Sequence, residues 1–172
     1  MNAARIFLLY SFCGFLLEKL FAWVTGHPKK DRKCLLLLPL CPVYGLGALA
    51  ILALAGPDPR PLRALAAGLL GGTAAELSAG LFCRLVLRVE FWSYRGVRGN
   101  LGGLICPVFS LGWALLAPVL ICGAQPLAAR LLSAVPPALE PPLMILAAAD
   151  LLVSAAALRR TGTTEVLRWW RP

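Results

Sequence analysis

The chain has 172 residues, of which 59% are hydrophobic and 15% charged, with a formal net charge of +9 and a mean hydropathy of +0.77. This mix lies far from that of an ordinary soluble domain and leaves little chain for one. The positive charge sits at the ends of apolar segments rather than in a basic soluble module, so no nucleic-acid partner is expected.

Apolar stretches between short charged clusters predict an all-α, polytopic helical membrane protein, with 1–172 as a single integral-membrane domain. About five transmembrane spans are expected near 4–25, 35–55, 64–84, 101–122 and 138–158, each close to the ~20 residues that cross ~30 Å of hydrocarbon. The first span outruns the apolar core of a secretory signal and is interrupted by Glu18 and Lys19, so it reads as a retained helix. In the last span Pro136, Pro137, Pro141 and Pro142 crowd the start and place the secure helical beginning near Leu143.

Basic residues are unevenly placed along this series. Lys29, Lys30, Arg32 and Lys33 fill the first connection, and Arg84, Arg88, Arg95 and Arg98 the third. Arg159, Arg160, Arg168 and Arg171 mark the tail 159–172. The opposite side has Arg5, Arg60, Arg63 and Arg130. Positive charge gathers on the cytoplasmic side, so a multi-pass protein of the plasma membrane with an outside N-terminus and a cytoplasmic C-terminus is expected. Membrane lipid is its expected surround, with some attraction to anionic headgroups.

The second and fourth spans carry the same sequence idea. Cys41-Pro42-Val43-Tyr44-Gly45-Leu46-Gly47 returns 65 positions later as Cys106-Pro107-Val108-Phe109-Ser110-Leu111-Gly112. Upstream, Gly14-x-x-x-Glu18 is matched by Gly72-x-x-x-Glu76. A parallel internal repeat of two helical hairpins follows, about 4–55 and 64–122, with the final span 138–158 outside it. Both units share one membrane orientation, so a pseudo-two-fold axis would lie along the membrane normal.

Helical rise places Glu18 and Glu76 about 10–12 Å inside the cytoplasmic end, and Cys41 and Cys106 about 8–9 Å inside. Asp150 falls in the same half. An intramembrane carboxylate costs about 2.5–3.5 kcal/mol on insertion scales and marks a functional site by default. Pairing of Glu18 with Lys19, Arg84 or freed backbone is the structural alternative. Glu18, Glu76, Tyr44, Asn100 and Asp150 are therefore the candidates for binding a substrate or proton. Tyr44 offers a hydroxyl to this layer and Phe109 does not. Pro42 and Pro107 are expected to kink their helices, and Gly45, Gly47 and Gly112 to allow close helix packing. Trp92, Tyr94, Trp169 and Trp170 read as interfacial aromatics. No catalytic residues, metal site or cofactor are expected. Six cysteines occur without a C-x-x-C pair, His27 is the only histidine, and no phosphate-binding G-x-x-x-x-G-K-[ST] loop is present.

Over about residues 7–121 the pattern resembles the putative ABC-transporter type IV, or CmpB-like, membrane protein family. The resemblance rests on Tyr10-Ser11-Phe12-x-Gly14-x-Leu16-Leu17-Glu18, Pro39-x-Cys41-Pro42-Val43-Tyr44-Gly45-x-Gly47, Glu76, Trp92-x-Tyr94 and Asn100 through Trp113. The chain departs from the family pattern at Arg84, Ser93, Gly102 and Leu104. The resemblance implies a small permease-like membrane protein that works with a separate ATP-binding subunit, and four or five spans are few enough that a homodimer is expected to complete a pathway. Two alternatives stand beside it: a membrane-embedded enzyme acting on lipid or polyprenyl substrates, and an accessory or sensor subunit.

Overall fold

The computed structural model describes residues 2–26, 34–57 and 60–168. Five helices follow one another: α1 Ala3–Val24, α2 Pro42–Ala55, α3 Pro61–Leu87, α4 Pro107–Ser133 and α5 Pro137–Thr161. All but α2 are long and apolar enough to cross a membrane. Among the described residues the β structure is one isolated bridge, Leu101 to Ile105. The protein is a helical membrane protein, as its hydropathy predicts. Trp169 and Trp170, expected as interfacial aromatics, lie outside the described residues.

Two expectations about proline are corrected. Pro42 and Pro107 stand at the first turns of α2 and α4, so neither bends a helix. Proline fits there because the amide it lacks would have no intrahelical acceptor. The residue before a proline also disfavours helical backbone, and Cys41 and Cys106 are accordingly extended. In α5 a short 3-10 turn at Pro137–Leu139 leads into the α-helical part from Glu140, with Pro141 and Pro142 in its first turn. The helix thus begins before Leu143, the position expected from sequence.

The second apolar segment, expected as one span over 35–55, is split. Residues 34–41 are non-helical and only Pro42–Ala55 is helical. Fourteen helical residues rise about 21 Å, short of the ~30 Å hydrocarbon core. Non-helical backbone within a membrane needs protein partners for its polar groups, and here it has them. The Cys41 amide donates to the Ser11 carbonyl of α1 at 2.8 Å. The Leu36 amide donates to Ser154 Oγ at 2.9 Å, and Leu38 to Asp150 Oδ2 at 2.7 Å. Leu37 donates to the same carboxylate.

The core of the bundle is built from small residues and one large ring system. Ala48, Ile51, Ala55, Ala67 and Ala117 pack around Tyr10, Trp113 and Leu120. Small residues allow backbones to approach closely where no hydrophobic drive joins helices. Inside α3 a wide π turn at Gly68–Gly72 meets α4. A Cβ added at Gly68 would lie 2.5 Å from the Trp113 carbonyl oxygen and 2.8 Å from Ala114 Cα, both backbone atoms. Gly68→Ala is expected to lower stability by about 2 kcal/mol, overpacking outweighing the ~1 kcal/mol of helix propensity that alanine adds. Thermal unfolding in detergent measures it, with Gly112→Ala as comparison. Gly45 packs on Phe7 and Ser11, and Gly47 on Trp113, but Gly112 meets nothing within 4 Å. Its expected packing role is therefore corrected: that face of α4 is open.

At the end of the bundle that carries the α1 N-terminus, Arg5 joins three helices. It pairs with Glu140 Oε2 at 3.1 Å and donates to the Leu132 carbonyl at 2.9 Å. A guanidinium suits the exposed carbonyls at the end of α4.

Candidate functional site

Glu18 and Glu76 lie on α1 and α3, the helices that open the two repeat units. Gly14, one turn before Glu18, is covered by the Tyr44 ring, and Gly72, one turn before Glu76, by Trp113. In each case the absent Cβ makes room for a large ring from the second helix of the same unit. From that seat the Tyr44 hydroxyl donates to Glu18 Oε1 at 2.7 Å. Tyr44 and Trp113 then approach each other, with ring centroids 5.3 Å apart.

Phe109, the repeat counterpart of Tyr44, has no hydroxyl. The second acid finds its donor elsewhere: the Tyr94 hydroxyl, from the connection between α3 and α4, donates to Glu76 Oε1 at 2.6 Å. Tyr94 also stacks on Phe109, centroids 4.6 Å apart, and Phe109 meets the edge of Phe21 on α1 at 6.5 Å. The interactions form a circuit. It runs from Glu18 through Tyr44, Trp113, Glu76, Tyr94 and Phe109 to Phe21, one turn beyond Glu18.

The carboxylates differ in setting. Glu18 is exposed at the bundle surface, whereas Glu76 is 6% exposed. The Trp113 indole stands beside the Glu76 carboxylate, off the geometry of a full hydrogen bond, and Oε2 has no partner. Burial first, and then the bond to Glu76, push the Tyr94 phenol far above its ordinary pKa. It therefore stays a donor at physiological pH.

The connection from 88 to 106 explains how Tyr94 reaches so far back along α3. Arg88 is left-handed, and Gly99, Gly102 and Gly103 all have positive φ. The Tyr94 amide donates to the Gly103 carbonyl at 2.9 Å, and Leu101 to Ile105 at 2.9 Å. Glycine supplies the backbone conformations that such reversals need. Tyr94 and Trp92, expected at the membrane interface, are thus turned onto the protein. The Trp92 indole donates to the Leu104 carbonyl at 2.9 Å and rests against Gly80.

Two of the expected candidates are engaged elsewhere. Asn100 shapes its own turn, donating to Val97 and accepting from the Gly103 amide. Asp150, 2% exposed, accepts from Leu37, Leu38 and Ser154. Its carboxylate holds the non-helical segment 34–41. Trp113 and Phe21 carry no titratable group and were not singled out in sequence. The Gly72/Trp113 pairing is not legible without the fold. Cys34 Sγ and Cys41 Sγ, both free thiols, lie 2.8 Å apart.

Compared with known proteins, residues 5–156 match the family model described as putative ABC-transporter type IV. Neither the curated proteins nor the solved structures include a match to this chain.

Proposed function

Because this chain belongs to the putative ABC-transporter type IV family, we propose that it is the membrane-embedded, permease-like subunit of a transporter and that Glu18 and Glu76 form its polar site. The observation that carries this reading is the linking of two repeat-related acids, Glu18 at the bundle surface and Glu76 buried, through Tyr44 and Trp113 among apolar helices. Acids at this depth are expensive and are kept where something polar is handled. Tyr44 and Tyr94 orient them through short hydrogen bonds, and the unsatisfied Oε2 of Glu76 supplies a place for an incoming group.

The chain has no phosphate-binding loop of its own, so nucleotide hydrolysis falls to a separate subunit. Basic connections on the side proposed to be cytoplasmic, with Arg84 and Arg95 held by Glu90, offer it a docking face. Five helices are few for a complete pathway, and a homodimer would supply the rest. The proposed setting is the plasma membrane, N-terminus outside.

Affinity purification of the full chain from its native membrane tests the assembly. A co-purifying subunit with ATP hydrolysis is the expected result. Recovery of the chain in a transport-competent form that lacks any nucleotide-hydrolysing partner would remove the ABC assignment.

A further inference from the structure

We propose that Cys34 and Cys41 form a reversible oxidation site, which closes to a disulfide when the chain meets a low-molecular-weight disulfide such as oxidised glutathione. The proposal is independent of the transporter reading and of the two glutamates.

The fold, rather than the spacing, makes the pair. The two cysteines are seven positions apart. In a helix that spacing would separate them by about 10.5 Å along the axis, beyond the ~7 Å between Cα atoms that a bridge can span. Residues 34–41 are non-helical and bring the two Sγ atoms to 2.8 Å. The segment is fastened on both sides of the pair's backbone. The Cys41 amide donates to the Ser11 carbonyl on α1, and the Leu36, Leu37 and Leu38 amides donate to Ser154 and Asp150 on α5. The thiols are therefore held together before any oxidant arrives. Duplication does not account for them: 65 positions on, Cys106 answers Cys41, but Gly99 stands where Cys34 does.

Access assigns the order of steps. Cys34 is half-buried, whereas Cys41 is 5% exposed. In the sequence Cys34 also directly follows Lys33 and the basic run Lys29, Lys30, Arg32, and adjacent positive charge favours the reactive thiolate. The Cys34 thiolate attacks one sulfur of the small disulfide, forming a mixed disulfide and releasing one thiolate. Cys41 then loses its proton, attacks the Cys34 sulfur and expels the second. Two protein thiols are oxidised, the small disulfide is reduced to two thiols, and the protein's two protons end on them. On a side proposed to be cytoplasmic, such a pair rests reduced and oxidises transiently.

The test treats the purified, folded full chain with excess oxidised glutathione, then denatures it and alkylates the remaining thiols with N-ethylmaleimide. Tryptic cleavage after Lys33 leaves Cys34 and Cys41 on one peptide, which mass spectrometry reads. The expected peptide carries no maleimide, is lighter by two hydrogens than its reduced form, and takes up two maleimides after dithiothreitol. Cys106 is expected to remain alkylated. Cys41→Ser is expected to accumulate a Cys34–glutathione adduct at least about tenfold above the unmodified chain, because the thiol that resolves it is gone. Cys34→Ser is expected to leave Cys41 as a thiol. A peptide from the unmodified chain that keeps both maleimides overturns the proposal. So does a bridge from either cysteine to Cys83 or Cys106, or a glutathione adduct on Cys34 that persists with Cys41 present. These readings need no variant, so they stand even where a substitution prevents folding.

Discussion

Asp150→Ala is expected to destabilise the protein by about 3–5 kcal/mol, among the largest effects of any single substitution outside the proposed site. The carboxylate is 2% exposed and receives the Leu37 and Leu38 amides, the latter at 2.7 Å. It also accepts the Ser154 hydroxyl at 3.2 Å, and that hydroxyl accepts the Leu36 amide. One turn of α5 thereby satisfies three successive amides of a segment that makes no helix. Alanine would leave these part-buried amides without acceptors among apolar helices, where few other partners are at hand. Ser154→Ala removes two hydrogen bonds, one from the Leu36 amide and one to Asp150, and should cost about 1–2 kcal/mol, less than loss of the carboxylate. Thermal unfolding in detergent ranks the two, and hydrogen exchange at Leu36, Leu37 and Leu38 locates the damage. An unchanged midpoint and unchanged protection in Asp150→Ala would show that the segment is held by something else.

Asp150 also illustrates what a sequence reveals of such a fold. An intramembrane acid is visible at once, and its partner is not. Its identity depends on whether residues 34–41 are helical, and hydropathy cannot say, because a Leu-rich run is equally apolar in either conformation. Pro39 and Pro42 were the available signal, since each disfavours helix in the residue before it. Reading Pro42 as a kink rather than a start concealed the non-helical segment and therefore the task of Asp150. The helices themselves were legible because long apolar stretches leave few alternatives. Within the site, Tyr44 was legible as a donor because its repeat counterpart lacks the hydroxyl. Tyr94 was not, since Trp92-x-Tyr94 fits the membrane interface just as well until Gly99, Gly102 and Gly103 are seen to fold the connection back. Repeats expose what the two halves share. They hide how each half repairs its differences.

That asymmetry sets up the second large effect. Glu76→Gln is expected to lower transport by about tenfold or more while membrane abundance is preserved, and Glu18→Gln to act in the same direction. Glutamine keeps the shape of the side chain, so the packing of Gly72 against Trp113 is retained and the lost charge is what the experiment reads. Tyr94→Phe keeps the ring that stacks on Phe109 and removes only the 2.6 Å hydrogen bond to Glu76. Its effect should be smaller, and the double variant Tyr94→Phe with Glu76→Gln should be little worse than Glu76→Gln alone. That non-additivity is expected of groups acting through one another. Tyr44→Phe with Glu18→Gln forms the matching cycle in the first repeat unit. If the two cycles each show coupling, both acids work through their tyrosines. Unchanged transport in both glutamine variants would leave the acids as structural remnants of a duplication, with the polar site elsewhere in the bundle.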